Sequence, residues 1–344
     1  MSAIDAKKDV LPLQRLAAWM ADNVPGFQGS LTARKFSGGQ SNPTYLLQTP
    51  NAEYVLRRKP MGELLRGAHA VEREYRVMHA LQDEAVPVPR VFALCEDPSV
   101  LGSAFFVMDM IHGRIFWDPT LQDVPKADRR SYYEAMNTTI AALHSVNVDQ
   151  VGLQSYGKSG GYISRQVRLW SRQYLSDEVA GRLSPMDRLV DWLPAHLPSD
   201  DDETSIVHGD FRCDNLIFHP KEPRVIAVLD WELSTLGHPL ADFTYHLMTY
   251  HMPQALPAGL LGTDLKSQGL PSEEEYVEWY CQRTHRAHIA NLSFFKAFNL
   301  FRFAAIVHGI KGRLAKGNAS SDQAENLVAH LDELAEAAWA ATSA

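Results

Sequence analysis

The sequence predicts an α+β protein in two lobes, a small N-terminal one built on a sheet and a larger, mainly helical C-terminal one. Three observations lead there. Strand-like runs crowd the first hundred residues around a single strong helical pattern. Beyond residue 113 the patterning turns mainly helical, and only two strand-like stretches, 204–218 and 224–230, interrupt it. A chain of 344 residues, 45% hydrophobic and 22% charged, is long enough to bury a sizeable core.

Taken in order, "MSAIDAKKDVLPLQRLAAWM" reads as an amphipathic helix and lacks the apolar core and cleavage pattern of a signal peptide. "TYLLQ" and "EYVLRR" follow as strands, "AVEREYRVMHAL" as a helix, and "RVFALC" and "AFFVMDM" as further strands. The lobe boundary is expected near Met110 to Gly113, giving lobes of 1–109 and 110–344. In the second lobe "RRSYYEAMNTTIAALHSV" and "YISRQVRLWSRQYL" carry helical periodicity, and "LPSDDDETS" reads as a solvated acidic connection. The most apolar run, "FFKAFNLFRFAAIVHGI", contains Lys296, Arg302 and His308, so it reads as a buried helix and not as a membrane span. No membrane anchor is expected.

Charge and cysteine usage narrow the function classes. A formal net charge of -8 argues against a general nucleic-acid binder, which needs a concentrated basic surface; any basic site must be local. Cys95, Cys213 and Cys281 are odd in number and widely spaced, which excludes a disulfide framework and a paired zinc motif and fits a reducing, cytoplasmic location. Cys213 reads as a packing residue. His219, His238, His246 and His251 lack accompanying thiolates and tight ligand spacing, so no transition-metal site is expected.

Chemistry concentrates in "IVHGDFRCDNLIF", residues 206–218, where His208, Asp210, Arg212, Asp214 and Asn215 lie between two apolar runs. An Asp with an Asn five residues on, and a second Asp at the end of the downstream strand "VIAVLDWE", is the set that phosphoryl transfer requires. One carboxylate accepts or orients a hydroxyl proton, while an amide oxygen and the other carboxylate hold magnesium against phosphates. The spacing follows the kinase catalytic-loop pattern His-x-Asp-x4-Asn, with Gly209 where Arg is usual. Strand capping and loop bonding are the competing reading of the same residues.

"HGDFRCDNLIF" followed by "VLDWELSTLGHPLADFTYH" resembles the signature of the aminoglycoside phosphotransferase and choline kinase family, a branch of the protein-kinase-like fold. The resemblance extends over most of the chain. Through "FSGGQSNPTYLL", "AHAVEREYRVMHAL" and "GNASS" it is most similar to the kinase-like domain fused to acyl-CoA dehydrogenases, with no dehydrogenase domain expected after Ala344. The resemblance implies a small antiparallel sheet in the first lobe, Asp210 as catalytic base, Asn215 and Asp230 as magnesium ligands, and ATP as phosphoryl donor. His208 is expected to brace the loop. Arg212 and Asp214 are open to two readings, substrate contact or a surface ion pair.

In "SGGQSNPTY", Gly38, Gly39, Ser41 and Asn42 would let backbone N–H groups and a hydroxyl approach the phosphates; a plain hairpin turn is the alternative. The kinase pattern calls for a third-strand cation paired with a helix carboxylate. Arg57 stands at that place with Glu74 as its partner, and Lys59 lies on the same strand face as a second candidate. Backbone groups of Asp109 and Met110 should meet adenine, with Met108 near the pocket or serving as core filling.

For the acceptor, Arg165, Arg168 and Arg172 recur at i, i+3 and i+7 on one helix face, with Trp170 and Tyr174 on adjacent faces; an anionic substrate could use it, and a solvated face is the alternative. Trp231 and Glu232 follow Asp230 directly and are candidate pocket neighbours. The expected function is ATP- and magnesium-dependent phosphorylation of a small-molecule hydroxyl; the resemblance to the dehydrogenase-fused domain implies a hydroxyacyl-type acceptor such as a CoA thioester. A cationic acceptor ranks second, and a nucleotide-binding pseudokinase is the non-enzyme reading. No nucleic-acid partner is expected.

Overall fold

The computed structural model describes residues 11–36, 42–62, 69–199, 201–256, 258–317 and 322–343. The chain divides into two compact units, one running to Gly113 and taking in Ile226–Glu232, the other formed by Arg114–Val225 and the chain from Leu233 onward.

The first unit contains α1 (Leu13–Asn23), β1 (Thr32–Lys35), β2 (Thr44–Gln48), β3 (Glu53–Arg58), α2 (Val71–Leu81), β4 (Val91–Cys95), α3 (Pro98–Leu101) and β5 (Phe105–Asp109). The five strands form one antiparallel sheet in the order β1-β2-β3-β5-β4. Strand alternation sorts its side chains onto two faces. Tyr45, Leu47, Tyr54, Leu56, Phe105 and Val107 pack with Leu16 and Met20 of α1. Trp19 of α1 meets Phe105 edge-on, with ring centroids 4.8 Å apart. The opposite parity carries Val55, Arg57, Phe106 and Met108 toward α2, whose Tyr75 ring lies 6.2 Å from that of Phe106. Register pairs Arg57 with Phe106 and with Thr44, so its guanidinium is delivered to the α2 side. Arg58, one residue on, turns to the other face and donates to the Tyr45 hydroxyl at 3.4 Å.

The second unit begins with α4 (Lys126–His144), α5 (Tyr162–Ser176), α6 (Ser184–Ala195), β6 (Ser205–Val207) and β7 (Leu216–Phe218). β8 (Val225–Val228), from Ile226 on, opens the segment that belongs to the first unit, after which β9 (Thr235–Gly237), α7 (Pro239–Leu247), α8 (Leu265–Gln268), α9 (Glu273–Arg283), α10 (Leu292–Ala315), α11 (Asp322–Ala329) and α12 (Leu331–Ala340) complete the chain. β6 pairs antiparallel with β9. The centre is α10, apolar nearly all round and therefore buried, packed by α5, α7 and α12. Its polar residues are bonded internally. Lys296 lies 3.4 Å from Glu273, His308 donates to the Gly181 carbonyl at 2.7 Å, and Asn299 donates to the Ala241 carbonyl and the Thr244 hydroxyl at 2.8 and 2.7 Å. Among the described residues no helix is long and apolar enough to cross a membrane.

The acidic stretch at 197–205 does more than connect. Asp201 accepts the N–H groups of Ile163 and Ser164 at 2.7 and 3.1 Å and so caps the start of α5, while Glu203 pairs with Arg286. Carboxylates at a helix N-terminus satisfy donors that have no partner in the helix, which composition alone does not reveal.

His246, on α7, faces the Phe211 carbonyl through Nδ1 at 3.2 Å and the Tyr276 hydroxyl through Nε2 at 2.7 Å. That pairing suits a neutral ring protonated on Nδ1, and burial pushes its pKa down to about 4. The unfolded chain, with an ordinary histidine near pH 6.5, takes up this proton first as pH falls. The stability from His246 is therefore present above about pH 6.5 and drains away toward pH 4, a loss of about 3 kcal/mol. Urea unfolding across pH 7 to 4 should show a steeper decline for the wild type than for His246→Gln; equal slopes would refute the assignment.

Candidate active site

In the first unit the third-strand cation sits among three carboxylates. Arg57 Nε lies 2.8 Å from Glu74 Oε2, and its Nη2 lies 2.7 Å from Asp230 Oδ1 and 3.8 Å from Glu232 Oε2. The Glu74 side chain is only 2% exposed. Burial raises its pKa, the Arg57 charge lowers it and the like charge of Asp230 raises it, with a net rise to about 7. The carboxylates outweigh burial at Arg57, which is held more firmly protonated than usual. Asn42 donates to Glu74 Oε1 at 2.9 Å and accepts from His69 Nδ1 at 3.2 Å, so its amide supports the ion pair. Gly38, Gly39 and Ser41 lie outside the described residues.

Asp230, two residues beyond the end of β8, lies in the left-handed region at φ 61°, a conformation Asp tolerates better than most residues. Trp231 is buried at 1% exposure and donates its indole N–H to the Val228 carbonyl at 2.9 Å, a core contact that anchors the turn after Asp230. Lys59 pairs instead with Glu72 at 2.7 Å. Met108 is buried, and the Asp109 N–H already donates to the Arg90 carbonyl at 2.9 Å.

In the second unit the loop after β6 is organised by a residue that sequence spacing left without a role. Asp242 of α7, buried, accepts the consecutive N–H groups of His208 and Gly209, each at 2.7 Å, and the Nε2–H of His144 at 3.2 Å. Burial works to raise its pKa, but these donors and the nearby histidines hold it below the usual carboxylate range. Gly209 has φ +83°, and a Cβ there would stand 2.8 Å from the Leu233 carbonyl oxygen. The position that carries Arg in the kinase pattern is thus one that only glycine fits. His208 accepts the Asp210 N–H on Nδ1 at 3.2 Å.

The Asp210 carboxylate is held on both oxygens. Tyr245 donates its hydroxyl to Oδ1 at 2.7 Å, Arg212 Nε lies 3.5 Å from the same oxygen, and Asn215 Nδ2 donates to Oδ2 at 3.0 Å and to the Asp210 carbonyl at 2.9 Å. Arg212 also donates to Asp214 at 2.6 Å, an ion pair inside the loop. Asn215 spends its N–H on Asp210, which leaves its Oδ1 as the acceptor atom. Arg302 of α10 donates to the Gly209 carbonyl at 3.3 Å and lies 5.2 Å over the Tyr245 ring. Spacing missed Asp242, Tyr245 and Arg302; the only sequence signal is that Asp242 and Tyr245 fall within the quoted "GHPLADFTYH".

The donor atoms offered by Asn215 and Asp230 are hard oxygens, the chemistry that suits magnesium and not a thiophilic metal. The four surveyed histidines serve the fold. His238 Nδ1 accepts the Leu240 N–H at the start of α7, His219 Nδ1 accepts from Lys221 and Glu222, His251 pairs with Glu273, and His246 is bonded as described above. Cys213 is buried, with its thiol pushed up to about 12, too high to act as a nucleophile. On α5, Arg165 donates to the carbonyls of Gly160 and Lys158, whereas Arg168 and Arg172 stand exposed.

A profile described as a phosphotransferase enzyme family matches residues 32–279. Over 96% of this chain and 98% of the other, the structure superposes with a TM-score of 0.90 on a protein of Ralstonia eutropha JMP134, provisionally assigned as an aminoglycoside phosphotransferase and 47% identical. Acyl-CoA dehydrogenase family member 10 of Mus musculus is 44% identical over 313 residues, 90% of this chain and 29% of that protein. The chain likewise spans less than half the length of the other curated relatives it resembles. A choline kinase of Cryptosporidium parvum, at 12% identity, shares the fold with a TM-score of 0.63 over 94% of each chain. The chain therefore belongs to the phosphotransferase enzyme family and is a small-molecule kinase of protein-kinase-like fold.

Proposed function

We propose that this kinase moves the γ-phosphoryl group of ATP to a hydroxyl of a small molecule, with Asp210 orienting the hydroxyl and accepting its proton. Asn215 and Asp230 would hold magnesium, Arg57, braced by Glu74, would contact the α- and β-phosphates, and Gly38, Gly39, Ser41 and Asn42 would belong to the phosphate loop. Adenine meets backbone groups of Asp109 and Met110. The observation that carries the reading is the Asp210 carboxylate, fixed by Tyr245 and Asn215 and flanked by Arg212. Such chemistry needs positioning more than covalent help. Bound magnesium would supply the charge that neutralises phosphate oxygens. The retained Asp210, Asn215 and Asp230 favour an enzyme over a pseudokinase, and the three buried thiols suit the cytosol.

For the acceptor we favour a hydroxyacyl group carried as a CoA thioester. Support comes from relatives named as acyl-CoA dehydrogenase family members and from the exposed Arg168 and Arg172 on α5. A cationic acceptor loses the acidic run as support, because Asp201 caps α5 and Glu203 is paired with Arg286. A screen of small hydroxyl compounds and hydroxyacyl-CoAs for ATP-dependent phosphorylation tests the reading; turnover with amino sugars or choline alone would overturn it.

Three measurements examine the parts. Magnesium with ATP should raise the melting temperature of the wild type more than that of Asp230→Ala, because only the former couples metal to nucleotide; equal shifts remove the metal role. Arg57→Lys should weaken ATP use without abolishing it, since the charge remains and the two-edged contact is lost. If Arg57→Ala turns over ATP normally while Lys59→Ala does not, the phosphate cation is Lys59. Finally, the double variant Arg168→Glu/Arg172→Glu, which spares the structural Arg165, should raise the KM for a CoA-linked acceptor far more than that for ATP. Each exposed phosphate contact is worth about 1 kcal/mol and fades with salt, so the effect should shrink at high ionic strength. Unchanged acceptor kinetics at low salt would make α5 a solvated face.

A further inference from the structure

We propose that Tyr245 is a positioning residue for phosphoryl transfer: its hydroxyl, donated to Asp210 Oδ1, holds the carboxylate in the one orientation in which its remaining lone pairs can receive the acceptor proton. The inference rests on the reading of Asp210 given above and assigns a task to a residue 35 positions away in the chain.

The geometry confines Tyr245 to this bond. Its hydroxyl lies 2.7 Å from Asp210 Oδ1, closer than the Arg212 Nε that lies 3.5 Å from the same oxygen. The ring is buried, at 9% exposure, on the last turns of α7, the helix whose Asp242 fixes the main chain of His208 and Gly209. One helix therefore sets both the backbone of the loop and the side chain of its acid. Arg302 locks the arrangement from α10, donating to the Gly209 carbonyl at 3.3 Å while its guanidinium covers the Tyr245 ring at 5.2 Å. Burial, and then the charge of Asp210, push the phenol pKa up, so the group stays a donor. With Asn215 Nδ2 on Oδ2, the carboxylate has one donor on each oxygen and cannot rotate about its Cβ–Cγ bond without breaking both bonds. A carboxylate so clamped meets an incoming hydroxyl without reorganisation, the condition under which a positioned base is effective.

A residue that only fills space would not depend on Asp210, and that separates the two roles. The experiment measures ADP release from magnesium-ATP, with water as the acceptor probe, in the wild type, Tyr245→Phe, Asp210→Asn and the double variant. Phe keeps the ring and its Arg302 contact, and melting temperature and ATP affinity are read on the same samples. Tyr245→Phe should lower kcat about 10- to 100-fold, the range for a hydrogen bond to a charged group, with the KM for ATP within about two-fold of wild type. In the Asp210→Asn background the same change should have no further effect. Wild-type kcat in Tyr245→Phe, beside an inactive Asp210→Asn, overturns the role of Tyr245 alone. Losses that multiply in the double variant overturn it too, since they mark a structural effect. Wild-type turnover in Asp210→Asn overturns this inference together with the assignment of Asp210.

Discussion

Two adjacent main-chain N–H groups, those of His208 and Gly209, end on the single buried carboxylate of Asp242, and the loop that carries Asp210 takes its shape from that contact. Burial of a carboxylate is costly unless donors surround it. Here two backbone N–H groups and the His144 ring supply them, and the charge persists below the usual carboxylate range. Directly after these two N–H groups the chain turns at Gly209 in the left-handed region, where the Leu233 carbonyl excludes a Cβ. Once the turn is made, His208 Nδ1 receives the Asp210 N–H and the acid side chain projects toward Tyr245 and Asn215.

The first unit works by a different balance. One guanidinium serves Glu74, Asp230 and Glu232, so negative charge remains in excess around Arg57. Burial, reinforced by the like charges of Asp230 and Glu232, outweighs the Arg57 charge and brings the Glu74 pKa to about 7. Geometry suits Arg at position 57. Nε reaches Glu74 and Nη2 reaches Asp230 at the same time, whereas the single ammonium of Lys offers no such span. The parity of β3 directs Arg57 to α2, so the pair with Glu74 is set by strand register before any charge acts.

Legibility in the sequence followed the range of the interactions. β2 and β3 are readable to the residue because short apolar runs bounded by polar residues, Tyr-Leu-Leu and Tyr-Val-Leu, are a local signal. β1, with the polar sequence TARK and mostly exposed side chains, gave no such signal and exists by pairing with β2. β9 is likewise three residues, Thr-Leu-Gly, held by β6. The Asp210 and Asn215 spacing was legible since both residues sit on one short loop. Tyr245, Asp242 and Arg302 lie 35, 34 and 93 residues from their loop partners, and nothing in their types announces the contact. Trp231, a pocket neighbour by chain position, is buried with its indole N–H on the Val228 carbonyl, a contact that chain position does not announce.

The Arg-rich helix α5 illustrates what helical spacing leaves out. Residues at i, i+3 and i+7 share a face whatever they touch, but Arg165, at the first turn, meets the carbonyls of Lys158 and Gly160 that the approach to the helix turns toward it. Asp201 caps the same turn, and further along Trp170 lies 5.8 Å under the guanidinium of Arg302. That guanidinium also touches the Gly209 carbonyl, so α5 and the Asp210 loop share one bracing residue within the second unit. Arg168 and Arg172 are therefore carried on an element tied at its first turn and along its length to the loop. If they meet acceptor phosphates as proposed, their reach is set by side-chain rotamers and not by helix movement, and discrimination among acceptors should change through those two side chains while phosphoryl-transfer geometry stays intact.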